Sequence, residues 1–537
     1  MIPVLALVAM WPQPLAPVHS LAVSALVAAI PLAIVLTLMG ILRTSSLLAS
    51  VCGLVAAGAL AVLVWHMPFV LVAWSTAFGC VYAAWPILWI VFCALWLYNL
   101  TVVTGKFDLL RRWMERHVSG DPCIQAIVVA FCFGALLEGT AGFGAPVAVT
   151  AFLLVGLGFD APRAIVVALI ADTAPVAFGA LGIPIVALAG VTGLDLQKLS
   201  SMVGRQLPLM SFLIPFYLVC VVAGWKGLKR TWPAALVAGG TFAAAQFFVS
   251  NFWGPYTPDI VAAAGSIAAT VGFLKMWRPS AMADHPQEER SEKLSSGAAF
   301  LAWLPWILLA GVVVLWSYLK LTPIGQIVFA IPHLHKGVLI TLYGQPYSAL
   351  YTFQPLAAGT AALTATALTA LCFRARPSVF AQCGWTTLRQ LWLPGLTVIV
   401  IVGLAYLYNY SGMAYTLGAA AAHAGHIFPL LSSYLGWVAC FLSGSDTASN
   451  VLFGNLQVAA AHQLHLSPVL MAATNSSGAV TSKMISPQNI AVGVTTVGLI
   501  GQEGKVLRST FWHSIVFATL VGVLAYAQAY WFTWMLP

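Results

Sequence analysis

Between Gln390 and Gln502 the chain carries one acid, Asp446, and one base other than histidine, Lys483. Each lies in a polar string, GSDTASN (444–450) and NSSGAVTSKMISPQN (475–489), with long apolar runs on both sides. A charge isolated in such surroundings lines a cavity, pairs with another charge, or meets a substrate or ion. Two acids of the N-terminal half stand in similar settings. Glu138, the only acid between Asp121 and Asp160, directly precedes Gly139-Thr140, and Asp172 opens the string DTAPVAFG. A desolvated carboxyl that changes protonation is suited to carrying a proton, so Glu138, then Asp446, with Asp172 as a third, are the candidates for that work. For Asp446 a second reading stands beside it, in which its carboxylate caps a half-helix beginning after GSD. For Lys483 the alternatives to binding an anion are an ion pair with Asp446 or a side chain reaching to water.

The elements that must position these residues are interrupted helices. GALLEGTAGFGAPVAV (134–149) is followed by ADTAPVAFGALGIPI (171–185), and FLSGSDTASNVLFGNLQ (441–457) by NSSGAVTSKMISPQNI (475–490), at similar spacings. Gly139, Gly142, Gly144, Pro146, Pro175, Gly444, Gly478 and Pro487 are the expected helix breaks, where amides and carbonyls become available to a ligand. Small residues are also common at ordinary helix contacts in membranes; the pairing of four such strings across two halves favours a site. The basic loop 104–121 precedes the first motif region, whereas 410–433, without Lys or Arg, precedes the second, which implies an inverted-topology repeat.

Composition sets the class. With 61% hydrophobic and 7% charged residues over 537 and a mean hydropathy of +0.94, the chain is an all-α polytopic membrane protein. Two inverted halves with discontinuous or re-entrant segments are expected. The net charge of +9 comes from short basic clusters between apolar runs, a pattern that orients loops to the cytoplasm and gives no support to nucleic-acid binding. These clusters lie at Lys106–Arg116, Lys226–Arg230, Lys275–Lys293, Arg374–Arg389 and Lys505–Arg508. With all five on one side, 68–84 does not cross fully as a span of its own. The polar stretch 279–296 reads as a cytoplasmic linker between a first half, 1–278, and a second, 297–537. Nine scattered cysteines and the histidines outside any ligand spacing give no metal site and no disulfide framework, and no cofactor is implied.

FCFGALLEGTAGFGAPVAVTAFLLVGLGF, APVAFGALGIPI, MVGRQLP, WPAALVAGG, SNFWGP, NYSG, GSDTASN and KMISPQNIA occur in this order. Through them the chain, from about Trp85 to its C-terminal QAYWFTWMLP, resembles the bacterial lactate permease family. The resemblance implies a multi-pass carrier of the bacterial cytoplasmic (inner) membrane, with about twelve transmembrane helices (range 11–14), that imports L-lactate, often D-lactate and glycolate as well, together with protons. One departure is Asp172, where the family pattern is expected to read NTAPVAFG.

For such a substrate, a small 2-hydroxy monocarboxylate, a site needs positive potential for the carboxylate and polar groups for the hydroxyl. Lys483 with the backbone amides at the breaks would supply the first. Ser443, Ser445, Thr447, Asn450, Asn475, Ser476, Ser486, Gln488 and Asn489, with Thr140 and Thr173 from the other half, would supply the second. A carrier coupled to Na⁺ and moving another small carboxylate is the nearest alternative, because unwound carbonyls suit that ion too. A membrane-embedded hydrolase lacks a nucleophile-elbow or zinc motif and leaves the paired breaks unexplained; broken helices can also line a channel filter, but the inverted halves and the resemblance favour a carrier. The partners expected are substrate, protons and membrane lipid; the sequence leaves oligomeric state and the choice between lactate and glycolate open.

Overall fold

The computed structural model describes residues 10–42, 44–117, 120–142, 144–277, 295–499 and 501–537. Arg43, Arg278, Arg290, Lys293 and all but the last two residues of the 279–296 linker lie outside that set, as does Phe143. Among the described residues, ten helices are long and apolar enough to cross a membrane, or eleven when the bent pair Ala161–Ala171 and Val176–Thr192 is taken as one span.

The 57-residue helix Leu196–Phe252 counts as one of the ten, yet at 1.5 Å per residue it would extend about 85 Å, far beyond a hydrocarbon core of about 30 Å. It is a hairpin. The chain reverses at Gly224 (φ +60°, ψ −161°), and Ser200 Oγ donates to the Ser250 carbonyl (2.8 Å) while Ser211 Oγ donates to Gln246 Oε1 (2.7 Å). Phe69–Val103 is the opposite case. Gly79 packs on Val402 and Gly403, Leu88 on Gly395 and Trp96 on Gly384, so its partners in Pro377–Ser411 recede steadily along the chain. It is therefore one kinked element running antiparallel to Pro377–Ser411, and 68–84 and 86–104 are its two parts. Three of the basic clusters meet at one end of the molecule, where Arg230 pairs with Asp121 (2.7 Å) and Lys106 lies over the Phe373 ring.

At the other end the segment between Gly297–Trp316 and Ala358–Cys372 departs from the all-α expectation. Short β-rich runs separated by turn glycines pair Ile327–Ala330 with Leu350–Phe353, and Val338–Ile340 with both Trp11–Pro12 and Gln345–Pro346.

Four interrupted elements form the centre: Pro122–Thr140 with Ala145–Gly156, Ala161–Ala171 with Gly179–Thr192, Phe428–Ser443 with Asp446–Gln463, and Pro468–Val480 with Pro487–Thr496. They cross-pack in equivalent ways. Asn450 Nδ2 donates to the Pro184 carbonyl and Gly454 sits against Leu188; in turn Gly144 lies against Asn489 and Val492, and Gly493 against Val147. Each pair brings the second part of one broken element alongside the second part of another from the opposite half, both running parallel.

Candidate functional site

The breaks arise from local backbone chemistry. Gly142 and Gly144 take φ of +59° and +81°, and Gly144 caps Ala145–Gly156. Asp172–Pro175 separates Ala161–Ala171 from a single 3₁₀ turn, after which Ala180, Leu181 and Gly182 adopt left-handed conformations in succession. For Ala180 and Leu181 that geometry costs roughly 1–2 kcal/mol each, strain of the kind held at functional sites by surrounding structure. In the second half Gly444, at φ +71°, ends Phe428–Ser443, and Ser445 opens the next helix with its hydroxyl accepting from the Ala448 amide. Residues 481–486 form the fourth break around the 3₁₀ turn Lys483–Ile485.

Two of the expected breaks are corrected. Gly139 lies within a helix, where a Cβ would press on Asp259 and Ile260; Gly478 also lies within a helix, packed on the Ser433 backbone. Both are small to permit close packing, and the chain breaks only after them. Pro146 and Pro487 begin helices, where the missing amide hydrogen breaks no bond.

Lys483 connects the halves. Its ammonium donates to Glu138 Oε1 at 2.8 Å and lies 3.0 Å from Asp172 Oδ2, with all three residues at most 6% exposed. The pair with Asp446 considered from the sequence is not formed, and the lysine is buried rather than extended to the surface. Asp446 Oδ2 instead accepts from Ser476 Oγ (2.8 Å), and the cap of its helix is Ser445, so the capping alternative for Asp446 is not what the structure holds. Glu138 Oε2, Asp172 Oδ1 and Asp446 Oδ1 are buried without hydrogen-bond partners.

Glu138, Lys483 and Asp446 border a cavity of about 560 Å³. Gly142, Gly144, Ser443, Gly444, Ser445, Thr447, Gln488 and Asn489 extend its polar side, Ser45 and Ser46 also line it, and Leu393, Pro394, Thr397, Val398 and Ile401 of Pro377–Ser411 form a largely apolar wall. Four half-helix N-termini reach this space, those of Ala145–Gly156, Gly179–Thr192, Asp446–Gln463 and Pro487–Thr496.

The other expected ligands stand elsewhere. Asn450, Asn475 and Ser476 hydrogen-bond among themselves and onward to Gln457, behind Asp446. Ser486 caps the last half-helix, and the hydroxyls of Thr140 and Thr173 return to carbonyls of their own helices. Asp172 is joined to the site through Lys483 and is not part of the cavity wall. The sequence reading missed Asp259, 1% exposed, which packs against Gly139 and accepts from Gln246 Nε2. It is the only acid between Asp195 and Asp284, the same signal that singled out Glu138, but its place beside the loop-like string NFWGPYTP hid it.

A many-helix body with four interrupted elements closing on a buried charged cavity defines a polytopic membrane transport protein. Residues 24–532 match the family model described as L-lactate permease, and the chain belongs to that family. It is a permease, not an enzyme, and a multi-pass protein of the bacterial inner membrane. A glycolate permease of Escherichia coli is 42% identical, covering 98% of this chain and 99% of that one. L-lactate permeases of Salmonella typhimurium and Bacillus subtilis are each 40% identical over 98% of this chain and all of theirs. Among solved structures, Neisseria gonorrhoeae MtrF, described as illuminating a class of antimetabolite efflux pumps, aligns with a TM-score of 0.51 over 92% of this chain and 97% of that one. At 10% identity this likeness concerns the fold alone.

Proposed function

We propose that the chain is a secondary active transporter that imports L-lactate, with D-lactate and glycolate as further substrates, together with protons. The substrate class rests on the lactate and glycolate permeases it is similar to. The observation that carries the coupling is Lys483 shared between Glu138 and Asp172 at the edge of the cavity.

With both acids ionised, Lys483 is fully engaged and has little attraction left for a third anion. A proton on Glu138 neutralises one partner and releases the ammonium toward a substrate carboxylate, already favoured by four half-helix N-termini. Proton and substrate then enter as a nearly neutral set, which is the condition for moving together through apolar surroundings. In this reading Ser443, Ser445, Thr447, Gln488 and Asn489, which line the cavity, meet the 2-hydroxyl, and the apolar wall meets the methyl of lactate. The remaining assignments are part of the same proposal: two inverted halves, 1–278 and 297–537, joined by the polar linker, with Glu138, Asp446 and Asp172 serving the proton.

The test is uptake of labelled L-lactate into proteoliposomes under an imposed pH gradient, a Na⁺ gradient or neither, with glycolate and D-lactate as competitors. Accumulation that requires an acidic exterior and ignores Na⁺ is the expected result. Accumulation driven by Na⁺ alone, or none under any gradient, overturns the proposal.

A further inference from the structure

Asp259 takes no part in the scheme above, yet it is a fully buried acid next to the charged cluster. It begins the helix Pro258–Met276, which runs antiparallel to Pro122–Thr140: Gly139 meets Asp259 at one point and Cys132 Sγ lies 3.2 Å from Ser266 Oγ further along. The glycine following Glu138 is thus the surface on which Asp259 rests. A Cβ there would come within 2.9 Å of the Asp259 Cβ.

One oxygen of Asp259 accepts from Gln246 Nε2 at 3.2 Å, and the same amide group donates to the Ala174 carbonyl at 3.3 Å, in the break that begins with Asp172. Gln246 is held in turn by Ser211 through its own oxygen. The second oxygen of Asp259 is buried with no partner. A buried carboxylate with one neutral hydrogen bond is poorly stabilised, whereas a carboxylic acid needs only a site for its proton. The charged groups acting on it are Glu138 from the packed helix, Asp172 from the adjoining break, and Lys483 between those two; the hairpin arm containing Gln246 offers it only that amide.

Four buried carboxyls, Glu138, Asp172, Asp259 and Asp446, therefore share this region with one ammonium that contacts only the first two, and Asp259 is absent from the cavity wall. We propose that Asp259 is a further proton-holding residue, set behind Glu138 as seen from the cavity and exchanging its proton with the Glu138–Lys483–Asp172 group. The arrangement keeps a path for the proton apart from the substrate. Asp259 lies six residues beyond exposed Trp253, at the turn of the chain away from the basic end at Gly224, so the proton would approach from the side opposite the basic loops.

This inference rests on the proton-coupled reading, and its test separates the two. Wild-type protein and Asp259→Asn are reconstituted and assayed for accumulation under a two-unit pH gradient, and for exchange of labelled against unlabelled L-lactate with no gradient. One proton per substrate supports an accumulation ratio of about 100 under that gradient, since each factor of ten corresponds to one pH unit. The asparagine keeps the acceptor for Gln246 and fills the unpartnered position, so exchange is expected at near wild-type rates while accumulation falls to equality across the membrane. Accumulation at the wild-type level overturns the inference, and so does parallel loss of exchange and accumulation in folded protein, which would make the residue structural. Should the asparagine variant fail to fold, Asp259→Glu is read by the pH profile of accumulation: a displaced profile supports the role and an unchanged one overturns it. Wild-type protein that accumulates only under a Na⁺ gradient defeats the coupling itself, whatever the variants do.

Discussion

Replacing Lys483 by glutamine removes the sole cation from a cluster whose geometry allows the consequence to be sized. Its contacts with Glu138 and Asp172, at 2.8 and 3.0 Å, are each worth about 6 kcal/mol at an effective dielectric constant of about 20. The two contacted oxygens share one ammonium and so lie no more than about 6 Å apart, where two negative charges repel by about 3 kcal/mol or more. Desolvation of the lysine offsets most of the attraction, and breaking a buried pair by removing one partner leaves a net loss of about 3–5 kcal/mol. Lys483→Gln is therefore expected to lose uptake and to melt well below the wild type in detergent. The triple variant Lys483→Gln/Glu138→Gln/Asp172→Asn removes the uncompensated charges together with the lysine. It should recover most of the lost stability and still fail to transport. The assay is thermal unfolding followed by size-exclusion chromatography, alongside uptake in proteoliposomes for both variants. A single variant with wild-type melting and wild-type uptake would refute the idea that Lys483 neutralises the two acids, and a triple variant as unstable as the single one would refute the electrostatic origin of the loss.

Two further outcomes are expected. Gly182→Ala puts a Cβ onto the Pro255 carbonyl at a φ of +70°, and should destabilise by more than about 2 kcal/mol, with folded yield and melting as the measure; wild-type stability would mean that the left-handed run 180–182 is not maintained. Ile401→Ala or Val398→Ala opens the apolar wall and should shift the preference between L-lactate and glycolate by about tenfold, the range for one methylene-sized contact, with the pH dependence unchanged; equal effects on both substrates in competition assays would remove the wall from the site.

Much of the architecture was legible in local terms. Periodic apolar runs of span length follow from the thickness of hydrocarbon, and the positions of Gly142, Gly144, Pro175 and Gly444 marked real interruptions because glycine and proline alter the backbone wherever they stand. Isolation of a charge in apolar sequence was likewise enough to find Glu138, Asp172, Asp446 and Lys483. The same criterion applied without regard to the neighbouring loop would have found Asp259. Spacing failed at Gly139 and Gly478, because a glycine needed for close packing and a glycine needed for a turn are the same letter.

The sequence by itself determined that the chain crosses a membrane many times, that two regions of each half are broken, and which few charges lie inside, since hydropathy, backbone restriction and desolvation act on each segment alone. Only the tertiary structure decided which charges meet: Lys483 with Glu138 and Asp172 across 345 and 311 residues, and Asp446 with Ser476 instead. It also separated the residues on the cavity wall from those bonded behind it, and set an apolar face of Pro377–Ser411 opposite the polar one. Partners of a buried charge are chosen by how helices distant in sequence pack side by side, and no property of the isolated segments records that choice.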